Sequence, residues 1–169
     1  LLRWGLVFCI VVYSPKAEAG AAVAAGAASG LRGAAVAFPV TLQAVGMTGV
    51  QVDIAYDSVN TPVAAKPDGT PDCAAPAGGK PASFAFLPSG CVGAACSSIR
   101  AVVVSTGDQN PIPDGSTLFT CTVRIPSTAA IGVYVLFVQN VGITTADGLR
   151  VPVTGVNGQI SVQGAGGSC

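Results

Sequence analysis

The sequence predicts an all-β fold, an antiparallel jelly-roll β-sandwich of about nine strands in two packed sheets. Three observations carry that expectation. The stretch Val50–Asp57 alternates with period two, with Val50, Val52, Ile54 and Tyr56 on one side and Gln51, Asp53, Ala55 and Asp57 on the other. That is the pattern of a strand packed on one face and wet on the other. Several further segments repeat the design, separated by turns rich in Gly and Pro, and no segment reads as an amphipathic helix.

Taken in order, the run Ala21–Ala28 is Ala-rich, but Gly20, Gly26 and Gly30 interrupt it, so a weak first strand is expected rather than a helix. A turn follows at Gly30–Gly33. In 34–44, Val36, Phe38, Val40 and Leu42 alternate with Ala37, Pro39, Thr41 and Gln43. Pro39 cannot donate to a ladder, which marks an edge or a bulge. After the strand at 50–57, residues 61–65 form a short extended piece, and 66–81 is a loop punctuated by Pro67, Pro71, Pro76 and Pro81. Residues 83–87 place Phe84 and Phe86 on one face. The run 99–105 is apolar on both faces, the mark of a central strand. In 117–125, Phe119, Cys121, Val123 and Ile125 point inward. Residues 133–141 are expected as a strand, 144–153 as a hairpin about Asp147-Gly148, and 159–162 as the last strand.

The N-terminus reads as an address. Arg3, the apolar run 4–12 and the small-residue site Ala17-Glu18-Ala19 fit a secretory signal of the bacterial export type, spanning residues 1–19. The run is about half of the ~20 residues a membrane span needs. The sandwich is expected over 20–163, and 164–169 as the start of a Gly-rich linker in a longer protein. An extracellular or cell-surface location follows.

Only 9% of the 169 residues are charged, the formal net charge is zero, and there is no His. No field points to nucleic acid. Without Arg3, Lys16 and Glu18, six basic and seven acidic residues remain, and every acidic side chain is Asp. General acid–base work needs an acid and a base of separated pKa, and Ser or Thr has no His to activate it. Asp57, Asp68, Asp72, Asp114 and Asp147 fall in turns, where Asp bonds locally. The chain is therefore read as non-enzymatic. Asp68 and Asp72 could offer oxygen ligands to Ca²⁺, but EF-hand spacing is absent, and no cofactor is expected. Sugar binding through a sheet needs exposed rings, whereas Phe38, Tyr56, Phe84, Phe86 and Phe119 fall on inward faces. Either Tyr134 or Phe137, on opposite faces of one strand, is exposed. Residues 133–138 are apolar both ways, read as a central strand covered by a loop in preference to a partner patch.

In an oxidising compartment, pairing is the default for Cys73, Cys91, Cys96 and Cys121. The short loop Cys91–Cys96 could close on itself, leaving Cys73 with Cys121, but four cysteines allow three connectivities. Zinc is disfavoured, for there is neither C-x-x-C spacing nor His. Cys169 is left over.

The order of five segments resembles a cohesin-type domain, within the wider clan of sandwiches that includes cellulose-binding modules. They are A-V-A-F-P-V-T-L at 35–42, G-V-Q-V-D-I-A-Y-D at 49–57, D-G-S-T-L-F-T-C-T-V at 114–123, A-A-I-G-V-Y-V-L at 129–136 and V-P-V-T-G-V-N-G-Q-I-S-V at 151–162. The resemblance implies a nine-stranded jelly roll and a receptor for a dockerin-type protein partner, or a structural module of a surface protein that handles polysaccharide. A carbohydrate-binding module is the alternative. In cellulosomal cohesins, polar residues on the strand equivalent to 50–57 contact the partner, and Gly49 and Gln51 stand where such cohesins often carry Asn and Asp. Gln51, Asp53 and Ala55 are accordingly the expected contact residues, with Asp53→Lys expected to weaken binding without unfolding the domain.

Overall fold

The computed structural model describes residues 20–104 and 107–164. The expected signal at 1–19 and nearly all of the expected linker lie outside the described residues. The strands, in chain order, are β1 (Ala22–Ala25), β2 (Ala27–Leu31), β3 (Ala35–Gln43), β4 (Met47–Ala55), β5 (Cys73–Ala74), β6 (Ala82–Leu87), β7 (Ser98–Val104), β8 (Thr117–Arg124), β9 (Gly132–Thr145), β10 (Arg150–Val151), β11 (Thr154–Val156) and β12 (Gly158–Gln163). One 3₁₀ turn, Gly93–Ala95, lies in the loop before β7. No helix among the described residues is long and apolar enough to cross a membrane.

The strands form two sheets. One runs β11-β1-β3-β8-β5; the other is seven-stranded, β2-β12-β9-β4-β7-β6, with β10 added alongside β9. The inward residues expected of β3, β4 and β8 form the layer between the sheets. Phe38, Val40, Leu42, Val52, Ile54, Phe119, Cys121 and Val123 are all fully buried. Phe84 meets Phe119 edge-on, with ring centroids 5.3 Å apart. Residues 99–104 of the run expected at 99–105 lie in an interior strand, β7, as the two apolar faces predict. The hairpin about Asp147-Gly148 is present: Arg150 and Val151 pair with Thr144 and Ile143. Gly148 takes the left-handed conformation (φ +75°) that the tight turn requires. Pro39 sits where β1 has already left the ladder, so its missing N–H faces no strand, and its carbonyl accepts from the Gly26 N–H at 2.8 Å. A register shift follows at Val40/Thr41.

The jelly-roll expectation is met, with two differences. Short strands raise the count among the described residues to twelve, and the sheets are mixed rather than wholly antiparallel. The Ala-rich start makes two strands: β1 pairs in parallel with β11 in one sheet, and β2 with β12 in the other. The first two and the last two strands thus change sheets side by side, one pair through Gly26 and the other through Asn157 and Gly158. A Cβ on Gly158 would strike the carbonyl oxygens of Gly26 and Ala25. Backbone cannot retreat as a side-chain tip can, so the crossing requires glycine. Gly158→Ala is expected to destabilise the domain by about 2–3 kcal/mol, at the upper end of overpacking costs. Urea unfolding against wild type checks this, and a change within 0.5 kcal/mol, the usual range for surface substitutions, would show that the crossing relaxes freely.

The cysteines make two disulfides, Cys73–Cys121 and Cys91–Cys96, which decides among the three connectivities. Cys73–Cys121 joins directly opposed residues of β5 and β8 and is buried on both sides. It fixes the long loop at 66–81 to the sheet. Lys66 Nζ adds a bond to the Cys73 carbonyl at 2.7 Å.

Candidate partner-binding face

The outer face of the seven-stranded sheet is built from the residues of β6, β7, β4 and β9 that alternate away from the core. Cross-strand register sets its rows. Ala55 lies between Ser98 and Phe137, Asp53 between Arg100 and Gln139, and Gln51 between Val102 and Gly142. The expected trio therefore does share one face, but its members are not equivalent. Gln51 and Ala55 are half-buried, whereas Asp53 is 3% exposed.

This corrects the expectation of a wet Asp53. Its Oδ1 accepts from Arg100 Nε at 2.7 Å, and its Oδ2 accepts from Arg100 Nη2 at 2.7 Å and from Asn140 Nδ2 at 2.8 Å. The arrangement is a forked, bidentate ion pair with a third donor closing it. The Arg100 guanidinium holds the carboxyl below the ordinary Asp range and outweighs the burial that pushes it up; Asn140 reinforces the lowering. Asn140 reaches Asp53 because β9 shifts register opposite Gln51/Asp53, which puts Asn140 at φ +48°. A bulge of this kind re-aims a side chain, and Asn is among the residues that tolerate the conformation. Arg100 and Asn140 were not singled out from the sequence. The one available signal is that Arg100 is the only charge in the β-branched run 99–105.

The segment 133–138 gives a second correction. No loop covers it. Val133, Val135 and Phe137 are 61%, 39% and 49% exposed and form an apolar stripe on the outer face. Of the pair Tyr134 and Phe137, it is Phe137 that stands out, while Tyr134 is half-buried and donates its hydroxyl to the Ala130 carbonyl. A shallow depression runs from the stripe to Ala55, Tyr56 and Asp57. Burial pushes the Tyr56 phenol up to about 12, so it stays a neutral packing group.

Elsewhere, two turn carboxylates bind locally. Asp57 Oδ1 accepts from the N–H groups of Val59 and Asn60 and from the Asn60 amide. Asp68 Oδ1 accepts from the Thr70 N–H and hydroxyl. Among the described residues, no three His, Cys, Asp or Glu side chains cluster as metal ligands. A cavity of about 530 Å³ opens at the end of the sandwich, walled by Pro76, Pro81, Pro111, Pro113 and Ile112. Its charges satisfy each other, with Lys80 Nζ bonding Asp108 Oδ2 at 3.1 Å and the Asp108 carbonyl at 2.7 Å. The β9 face thus holds the uncovered apolar surface, and the cavity holds a closed polar pair.

The fold is cohesin-like, with solved cohesin structures among its neighbours. A module of Clostridium acetobutylicum, solved in complex with its dockerin, is 22% identical over 85% of this chain and 99% of that one, at a TM-score of 0.70. A non-cellulosomal cohesin from the archaeon Archaeoglobus fulgidus is 21% identical over 86% and 92%, at 0.65. The sixth cohesin of Acetivibrio cellulolyticus scaffoldin B, in complex with a Cel5 dockerin, is 14% identical over 85% and 99%, at 0.69. No family model matches the chain, and no curated protein matches it.

Proposed function

We propose that this domain is a non-catalytic docking module of a secreted or surface-attached protein, and that a dockerin-type protein partner sits on the outer face of β9, β4, β7 and β6. The observation that carries this reading is the exposed stripe of Val133, Val135 and Phe137 on the outer face of the sheet. Contiguous exposed apolar surface rimmed by polar groups is a mark of interaction sites. Several structural neighbours were solved with a dockerin bound, which supports the same mode here. Gln51 and Ala55 belong to the contact surface in this reading. Asp53 contributes indirectly, by fixing the half-exposed guanidinium of Arg100. Two disulfides fit an oxidising, extracellular compartment. The setting extends to polysaccharide-handling assemblies, as the cohesin resemblance implies. The alternative, direct carbohydrate binding, has one exposed aromatic ring to work with among the described residues, Phe137.

The test is calorimetric titration against a panel of purified dockerins, run beside retention on insoluble polysaccharides. A dockerin is expected to bind, and Phe137→Asp is expected to weaken it by about 2 kcal/mol or more, the scale of an aromatic hot spot, while thermal unfolding shifts little. Retention on polysaccharide with no dockerin bound would replace this reading by the carbohydrate-binding one.

A further inference from the structure

The outer face carries three charged side chains near its centre, and their arrangement is asymmetric. The one acid, Asp53, is buried beneath its partners and has both oxygens occupied. Arg100 covers it with a side chain that remains 42% exposed. Arg150, on β10, is exposed, and its guanidinium lies across Gly142, 3.8 Å from where a Cβ would stand. Among the described residues no carboxylate lies within ion-pair distance of Arg150. Arg150 lines a shallow depression with Gln51, Gly49, Val102, Val104 and Thr144. Two acids stand near the rim: Asp57, whose Oδ1 is committed to its own turn, and exposed Asp147 at the hairpin tip, which makes no ion pair.

We propose that this face selects an acidic partner: a protein surface that lays an apolar side chain on Phe137 and sets carboxylates against Arg150 and the outer edge of Arg100. This rests on the docking reading above and adds the sign of the partner's charge. The physical reason is what the two guanidinium groups have left to offer. Asp53 compensates Arg100 but takes only its Nε–H and an Nη2–H, so the outer edge of Arg100 keeps N–H donors that Asp53 does not use, and among the described residues no acid pairs with Arg150. A covering partner would strip water from both. A carboxylate on the partner restores what is lost, and a second cation cannot. Arg150 suits a forked approach by a carboxylate, and its guanidinium lies over Gly142 on the sheet.

The test selects binders to the disulfide-intact domain from a display library of small helical scaffolds with a randomised surface. Enriched clones are then measured against wild type, Phe137→Asp, Arg150→Glu and the charge-matched control Arg124→Glu, an exposed residue at the end of β8 in the other sheet. Clones that lose affinity with Phe137→Asp should be acidic at the contact. Arg150→Glu should weaken them by about tenfold or more and Arg124→Glu should not, with affinity falling as NaCl rises. If the Phe137-dependent clones are neutral or basic and indifferent to Arg150→Glu, the acidic-partner inference is overturned and the docking face stands. If no clone is enriched, or enriched clones ignore Phe137→Asp, the docking reading itself is overturned.

Discussion

Replacing Cys73 and Cys121 together by alanine is expected to cost about 4 kcal/mol of unfolding free energy, against about 2 kcal/mol for the same change at Cys91 and Cys96. The difference follows from loop length. The first bridge spans 48 residues and the second 5, and closing a longer loop removes more freedom from the unfolded chain. The first bridge is also wholly buried against the core, so its loss leaves a cavity as well. Its local setting magnifies the effect. β5 is only two residues long and lies at the edge of its sheet, with a Pro- and Gly-rich loop on each side. Backbone bonds from Thr122 to Asp72 and from Asp72 to Ala64 help hold it, but they exchange with water once the strand lifts. Urea unfolding of the two double variants decides the matter. Equal losses from both would mean that loop closure does not set the stability here and that the 66–81 segment is held mainly by its hydrogen bonds.

Asp53→Lys is expected to destabilise the domain by about 3–5 kcal/mol, the range for breaking a buried ion pair, and to do so whatever its effect on binding. The new ammonium would stand under the Arg100 guanidinium, in a site 3% exposed, with Asn140 left without its acceptor. Asp53→Asn keeps the shape and should cost less, about 1–3 kcal/mol. The pH dependence separates the charge from the packing. The folded-state pKa of Asp53 is held below its ordinary value by Arg100. The unfolded chain therefore binds the proton first. The stabilisation is complete above the unfolded value of about 3.9 and is lost as pH falls through the folded value. The wild type should therefore exceed Asp53→Asn in thermal stability at pH 7, and that advantage should shrink as pH falls below about 4. An advantage that stays constant with pH would mean that packing, not the ion pair, is what Asp53 supplies. A variant that removes Asp53 therefore makes a poor probe of partner binding. Phe137 and Arg150, which stand on the surface, make better ones.

The fold was legible because strand patterning is local. Val36–Leu42, Val50–Tyr56 and Phe119–Ile125 each point their apolar residues to one side, and those residues are the core. The hairpin at Asp147-Gly148 and the interior position of β7 are equally local signals, a turn pair and a two-faced apolar run. The site was less legible. Gln51, Asp53 and Ala55 share a side of β4, as their spacing requires. Whether that side meets water is set by residues far along the chain: Arg100 lies 47 positions away and Asn140 lies 87. The same applies to Val133, Val135 and Phe137. A strand apolar on both faces is equally consistent with being covered or bare, and no residue of β9 itself carries that information.

The sequence alone determined the class of fold, the strands and the inward face of most of them, because a period of two is imposed by the backbone and needs only adjacent residues. It also set the cysteine inventory and its few pairings, and left the chain without His. The tertiary structure decided the rest. It chose the disulfide pairing, closed both sheets with parallel strands that cross at Gly26 and Gly158, buried Asp53 beneath Arg100, and left the Phe137 stripe uncovered. Each of these depends on which distant segments become neighbours, and only the packed chain specifies that.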